Sequence, residues 1–160
     1  MNPAAVLIGV GNPWRRDDGV GSAVVTAAGR LLGNAVEVVE VDGEPSRLLD
    51  AWTDVDLAVV VDAAHGDAPP GTIHVWRDAS PVDRTTRPSG SHALGVADAI
   101  ALGRALQRLP RSLVVIGVEV ADTSPGHGLS PEVAAGVDAA VAMVVEVVQA
   151  GSKATSSAGE

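Results

Sequence analysis

The sequence predicts an α/β fold built on a mostly parallel sheet with one antiparallel edge strand. Three observations carry that expectation. Short runs of Val, Ile and Leu at 5–10, 36–41, 57–61 and 113–120 alternate with segments of helical periodicity, the order that a parallel sheet requires. The run at 57–61 is apolar at every position, as in a strand covered on both faces. A further strand-like segment at 72–76 follows only the Pro- and Gly-rich stretch 63–71. That stretch is too short for a crossover helix, so 72–76 belongs at an antiparallel edge or in a hairpin.

The helices follow from spacing. Val20, Val24, Val25, Ala28, Leu31 and Leu32 recur every three or four residues and stop at Gly33. A short helix over 46–52 would turn Leu48 and Leu49 inward. A third spans 92–109 and ends before Pro110. The fourth spans 130–149, with Ser130 as its N-cap, Pro131 in the first helical position, and Val133, Val137, Val141, Val144, Val145 and Val148 along one face. Residues 78–90, holding Pro81 and Pro88, are expected to form a long loop. Residues 1–150 read as a single domain and 151–160, small and polar, as a disordered tail.

Composition narrows the function. A chain of 160 residues is near the usual size of one domain and can bury about 70% of its unfolded surface. Eleven Lys and Arg against twenty Asp and Glu leave a net charge of −9, which argues against nucleic acid or an anionic membrane as partner. The absence of cysteine excludes a disulfide scaffold, a zinc ribbon, an iron–sulfur site and thiol catalysis together. With no Phe or Tyr, base-stacking platforms are also disfavoured. No signal peptide and no membrane-length apolar run are evident, so a soluble, cytoplasmic chain is expected.

Ligands of open parallel sheets bind beyond the carboxyl ends of the strands. Behind the first run comes Gly9-Val10-Gly11-Asn12-Pro13-Trp14-Arg15-Arg16-Asp17-Asp18-Gly19-Val20-Gly21; behind the second, Asp42-Gly43-Glu44; within reach of the third, Asp62. Carboxylates delivered to one edge raise one another's pKa unless a cation or proton separates them, and a cation is the economical explanation. Simpler roles exist for each. Asp17 or Asp18 can cap the first helix, and Asp62 can be an ordinary turn residue. Gly9 and Gly11 begin a dinucleotide-type pattern, but Trp14 stands where its third glycine belongs. Of four histidines, His74 falls in the edge strand, His65 in a loop after Asp62, and His127 in an exposed Gly-rich loop. His92, behind Ser91, opens a helix and is held most firmly. An imidazole with two carboxylates suits a divalent transition metal, yet no spacing here specifies such a site alone.

Taken together, Gly9-x-Gly11-Asn12, then Asp17-Asp18-Gly19-x-Gly21 four residues later, resembles the opening motif of the nickel–iron hydrogenase maturation endopeptidases. The likeness continues in order through Asp42-Gly43, Val61-Asp62-Ala63, Ser91-His92, Gly117-Val118-Glu119 and Leu129-Ser130-Pro131-Glu132-Val133, covering residues 5 to about 149. Where the family usually has Pro after Gly-x-Glu, Val120 stands.

The resemblance implies a three-layer fold, a twisted five-stranded sheet flanked by helices. It implies an endopeptidase that removes the C-terminal extension of the hydrogenase large-subunit precursor after nickel insertion. Its metal-contacting residues fall on Asp18, Asp62 and His92, with Asp17 and Asp42 as supporting candidates. The nickel is expected to be the substrate's own, with no organic cofactor, and the protein to act as a monomer. Two other readings stay open: a non-enzymatic α/β module binding a divalent ion or nucleotide, and a peptidase of the same fold acting on another precursor.

Overall fold

A computed structural model describes residues 5–77 and 91–157. Five strands form one sheet: β1 (Ala5–Val10), β2 (Val36–Val41), β3 (Leu57–Ala64), β4 (Ile73–Arg77) and β5 (Ser112–Glu119), in the order β2-β1-β3-β5-β4. The β1–β2, β1–β3 and β3–β5 pairs are parallel, and β4 runs antiparallel to β5 at one edge. The expected edge strand is therefore present. It is not a hairpin partner of β3, because β5 inserts between the two.

Helices α1 (Val20–Leu32), α2 (Pro45–Trp52), α3 (Ser91–Leu106) and α4 (Pro131–Ser157) complete three layers. Alternate residues of the central strands feed two cores. On one face Leu7, Val59, Val61 and Ile116 pack against Val24, Val25 and Ala28 of α1 and Val133, Val141 and Val144 of α4. On the other, Ile8, Val10, Val60 and Val115 meet Leu48, Leu49 and Trp52 of α2 and Val96, Ala99 and Ile100 of α3. Every residue of β1 and β3 is buried, which is why both strands read as continuous apolar runs.

Three boundaries differ from expectation, each for a local reason. β3 continues past Val61 through Ala64, since β5 stays in register with it as far as the Ala64–Glu119 pair. α3 stops at Leu106, well before Pro110. Gln107 turns left-handed at φ 55°, its amide donates to the Arg104 carbonyl at 3.3 Å, and the Arg108 amide donates to the Gly103 carbonyl at 2.7 Å, which together make a Schellman stop. α4 runs to Ser157, so residues from Gly151 that were expected in a disordered tail continue the helix, which meets no proline on the way.

The stretch Pro131–Ser152 of α4, with mean hydropathy 1.7, is long and apolar enough to cross a membrane, contrary to the sequence-based expectation of no such run. Its valines are instead core residues against the sheet. Gly33, at φ 59°, ends α1 as anticipated. The loop expected at 78–90 lies outside the described residues.

Candidate active site

The strand order reverses between β1 and β3, and this is where the site is built. The N-terminus of α1 is wedged against both strand ends. A Cβ on Gly21 would lie 2.3 Å from the Val61 carbonyl oxygen and 2.8 Å from that of Val10, so the first turn of α1 approaches as closely as backbone allows. Gly9 has the same cause: its Cβ would meet the Gly21 carbonyl oxygen at 2.9 Å. These glycines serve helix–sheet packing, not a phosphate loop.

Gly11, at φ 135°, turns the chain out of β1, and its amide donates to the Val41 carbonyl at 3.0 Å. The turn Arg16–Gly19 then returns over the sheet and places its two acids differently. Asp18 is 1% exposed, and its Oδ2 accepts the Asn12 amide at 2.8 Å. Asp62, 5% exposed, sits in β3 opposite Gly117 of β5 and accepts the Ala63 amide at 2.8 Å. The turn bearing Asp18 packs against β3, and Gly21 touches the carbonyl of the residue preceding Asp62. Asp18 and Asp62 are thus buried carboxylates carried to one edge by neighbouring strands.

Asp17 looks away from that pair. Fully buried, it accepts the Ala121 amide at 3.0 Å, the Asp122 amide at 2.9 Å, and from Ser130 both the amide at 2.6 Å and the hydroxyl at 2.7 Å. Burial acts to raise its pKa, but the hydrogen bonds from Asp122, Ser130 and Ala121 outweigh it and hold the carboxyl below its ordinary value. Further backbone bonds, Asp17 amide to Asp122 carbonyl at 3.0 Å and Arg16 amide to Gly126 carbonyl at 3.1 Å, join the same two loops. Ser130, expected as the N-cap of α4, donates its hydroxyl to Asp17.

Asp42 is exposed beyond β2 and accepts the Glu44 amide at 3.1 Å, an Asx turn leading into α2. A groove of about 220 Å³ lies between Gly9 of β1 and Gly11 just after it, Glu40 of β2 and Asp42 just after it, and Arg47 of α2. His92 occupies the first turn of α3, although its side chain lies outside the described residues. That turn is anchored near the edge by Gly95, whose Cβ would meet the Gly43 carbonyl oxygen at 2.1 Å. Among the described residues no group of three His, Cys, Asp or Glu stands ready to hold a metal.

Glu119 was not singled out as a site residue from sequence. It ends β5, is 4% exposed, and accepts the Gly66 amide at 2.9 Å while sharing a 3.0 Å hydrogen bond with His74 Nε2. A charged residue closing an otherwise apolar strand was the available signal. The Val120 amide beyond it donates to the Ala64 carbonyl at 3.1 Å, a bond that proline, usual in the resembled family, cannot make. His127 is exposed as expected, yet its ring packs edge-on against Trp14 with centroids 4.0 Å apart.

The family model described as HycI, hydrogenase maturation protease, matches residues 26–147. The hydrogenase 2 maturation protease of Escherichia coli (strain K12) is 27% identical over 147 residues, covering 90% of each chain. The hydrogenase expression/formation protein HupD of Thiocapsa roseopersicina is 28% identical over 149 residues, covering 91% of this chain and 67% of that one. Among solved structures, the E. coli hydrogenase maturating endopeptidase HybD superposes with a TM-score of 0.77 at 28% identity over 91% of both chains. The fold matches that structure, and the chain belongs to the hydrogenase maturation protease family.

Proposed function

We propose that this protein removes the C-terminal extension of a nickel–iron hydrogenase large-subunit precursor once nickel has been inserted, and that Asp18, Asp62 and His92 engage that nickel. The observation that carries this reading is the pair of buried carboxylates, Asp18 and Asp62, at the β1–β3 switch point. Two carboxylates at one edge offer hard oxygen ligands to the metal of an incoming substrate, and family resemblance adds the imidazole of His92.

Peptide hydrolysis also needs an activated water and stabilisation of the oxyanion. No thiol is present in the chain, and Ser91 lacks the Gly-x-Ser-x-Gly turn of a nucleophile elbow, which favours direct attack by water. Metal engagement orients the precursor and a carboxylate takes the proton. Asp17 suits that base role poorly, because its oxygens are occupied and its pKa is low. Asp42, exposed beside the groove, remains a supporting candidate. Hard carboxylates bind nickel less firmly than the thiolates implied in the substrate, so the protein docks on the metal without extracting it.

Mass spectrometry of the precursor's C-terminus tests the reading. Wild type should shorten nickel-loaded precursor and leave nickel-free precursor intact, with nickel retained on the product. Asp62→Asn and His92→Ala should each slow cleavage at least a hundredfold. Wild-type rates in those variants would defeat the site assignment, and equal cleavage of nickel-free precursor would defeat the role of the metal.

A further inference from the structure

We infer that Trp14, with Arg15 beside it, is the contact on which the folded precursor seats itself at the mouth of the site; this rests on the function proposed above. The chain has three tryptophans and no other large aromatic residue. Trp52 is fully buried and Trp76 half-buried, whereas Trp14 is 65% exposed. A lone exposed Leu such as Leu31 needs no explanation. Trp14 differs in being held rigidly in water. Its amide donates to Asn12 Oδ1 at 2.9 Å, its carbonyl accepts the Gly126 amide at 2.8 Å, and its ring lies edge-on against His127. Arg15 is held likewise, Nε donating to the Thr123 carbonyl at 3.1 Å.

Position identifies what covers this ring. The Asn12 amide is 2.8 Å from Asp18 Oδ2, and two further residues of chain put the Trp14 Cα within roughly 10 Å of that carboxylate. A protein partner of ordinary size buries about 800 Å² of surface on each side, a disc of about 16 Å radius. A precursor that brings its scissile segment to Asp18 and Asp62 therefore covers Trp14 as well. Trp and Arg are the residue types that dominate such interfaces, and a ring already fixed in place loses little freedom on binding. Arg16 is paired with Asp122 at 3.8 Å, so Arg15 carries the positive charge beside an edge otherwise supplied with Asp18, Asp42 and Asp62, and the surface that meets it is expected to be carboxylate- or carbonyl-bearing.

Steady-state cleavage of nickel-loaded precursor by wild type, Trp14→Ala, Trp14→Phe, His127→Ala and Leu31→Ala tests this, with melting temperatures confirming that each is folded. Trp14→Ala should raise KM about tenfold or more with kcat within twofold, Trp14→Phe should recover most of the loss, and His127→Ala should raise KM by a smaller factor. Leu31→Ala should match wild type. A KM for Trp14→Ala within twofold of wild type, or a loss confined to kcat, overturns the inference while leaving the proposed function standing. Should Trp14→Ala fail to fold, Trp14→Leu, which keeps an apolar side chain without the ring, takes its place, and a KM within twofold of wild type in both Trp14→Leu and His127→Ala does the same. Wild type that cannot cleave the precursor overturns the function and this inference with it.

Discussion

The carboxylate of Asp17 accepts both the amide and the hydroxyl of Ser130, 113 residues further along the chain, at 2.6 and 2.7 Å. With the Ala121 and Asp122 amides this makes four donors on one buried carboxylate. The bond set locks the turn before α1 to the segment before α4, and so fixes the backbone that carries Asp18. Neighbouring acids divide the work: Asp17 ties the segments before α1 and α4 together, and Asp18 holds the Asn12 amide.

Asp17→Ala leaves several buried donors unpaired and should cost about 3 kcal/mol of stability, read from urea unfolding. The pH dependence has a definite sign. A carboxyl with a depressed folded-state pKa contributes stability above its unfolded pKa, near 3.8, and loses it as pH falls through the lower folded value. Wild type should therefore lose melting temperature more steeply than Asp17→Asn as pH drops below about 4, a value set by the ordinary carboxylate pKa. Parallel curves would mean that Asp17 is not the group holding these loops at acid pH.

The glycine at the carboxyl edge and the helix-stop glycine should both resist substitution, for different reasons: packing at Gly21 and backbone conformation at Gly33. Gly21→Ala drives a methyl into the Val61 carbonyl oxygen at 2.3 Å and should cost about 3 kcal/mol by displacing α1 from the sheet. Gly33→Ala meets nothing within 4 Å, but φ 59° with ψ −133° is a conformation that residues with a Cβ scarcely adopt, so backbone strain alone should cost about 2 kcal/mol. A loss at Gly21 below about 1 kcal/mol in chemical denaturation would contradict its packing account.

Glu119 should tolerate Gln but not Ala. Glutamine keeps an acceptor for the Gly66 amide, so Glu119→Gln should cost below about 1 kcal/mol, while Glu119→Ala strands that amide and should cost about 2 kcal/mol. His74 is over a third exposed, so its coupling to Glu119 in a double-mutant cycle should stay below about 1 kcal/mol. Amide exchange at Gly66 gives a local readout, expected to accelerate only in the alanine variant.

Gln107 pays for its left-handed conformation at the end of α3, where glycine is the usual occupant. Gln107→Gly should raise stability by about 0.5 kcal/mol, a small gain because glycine also adds freedom to the unfolded chain. A loss instead would show that the side chain contributes more than its backbone strain costs.

Alternation of apolar runs with helical spacing is a local property, and it sufficed for the α/β class, for the antiparallel edge and for most element boundaries. Three ends departed from it: Gln107 ends α3 ahead of Pro110, pairing with β5 carries β3 beyond Val61, and α4 continues to Ser157 with no proline to stop it. The acids at the edge were legible too, because residues after β1, after β2 and late in β3 must emerge at one end of a parallel sheet. Their division of labour was not. Asp17 and Asp18 are adjacent and chemically identical, and only the return of residues 121–130 onto the turn decides that Asp17 becomes a buried fastener. Glu119 was hidden for a similar reason, since its partners Gly66 and His74 lie 53 and 45 residues away. Spacing along the chain determines which residues reach the edge; long-range hydrogen bonds, which no local pattern encodes, decide which of them tie one loop to another.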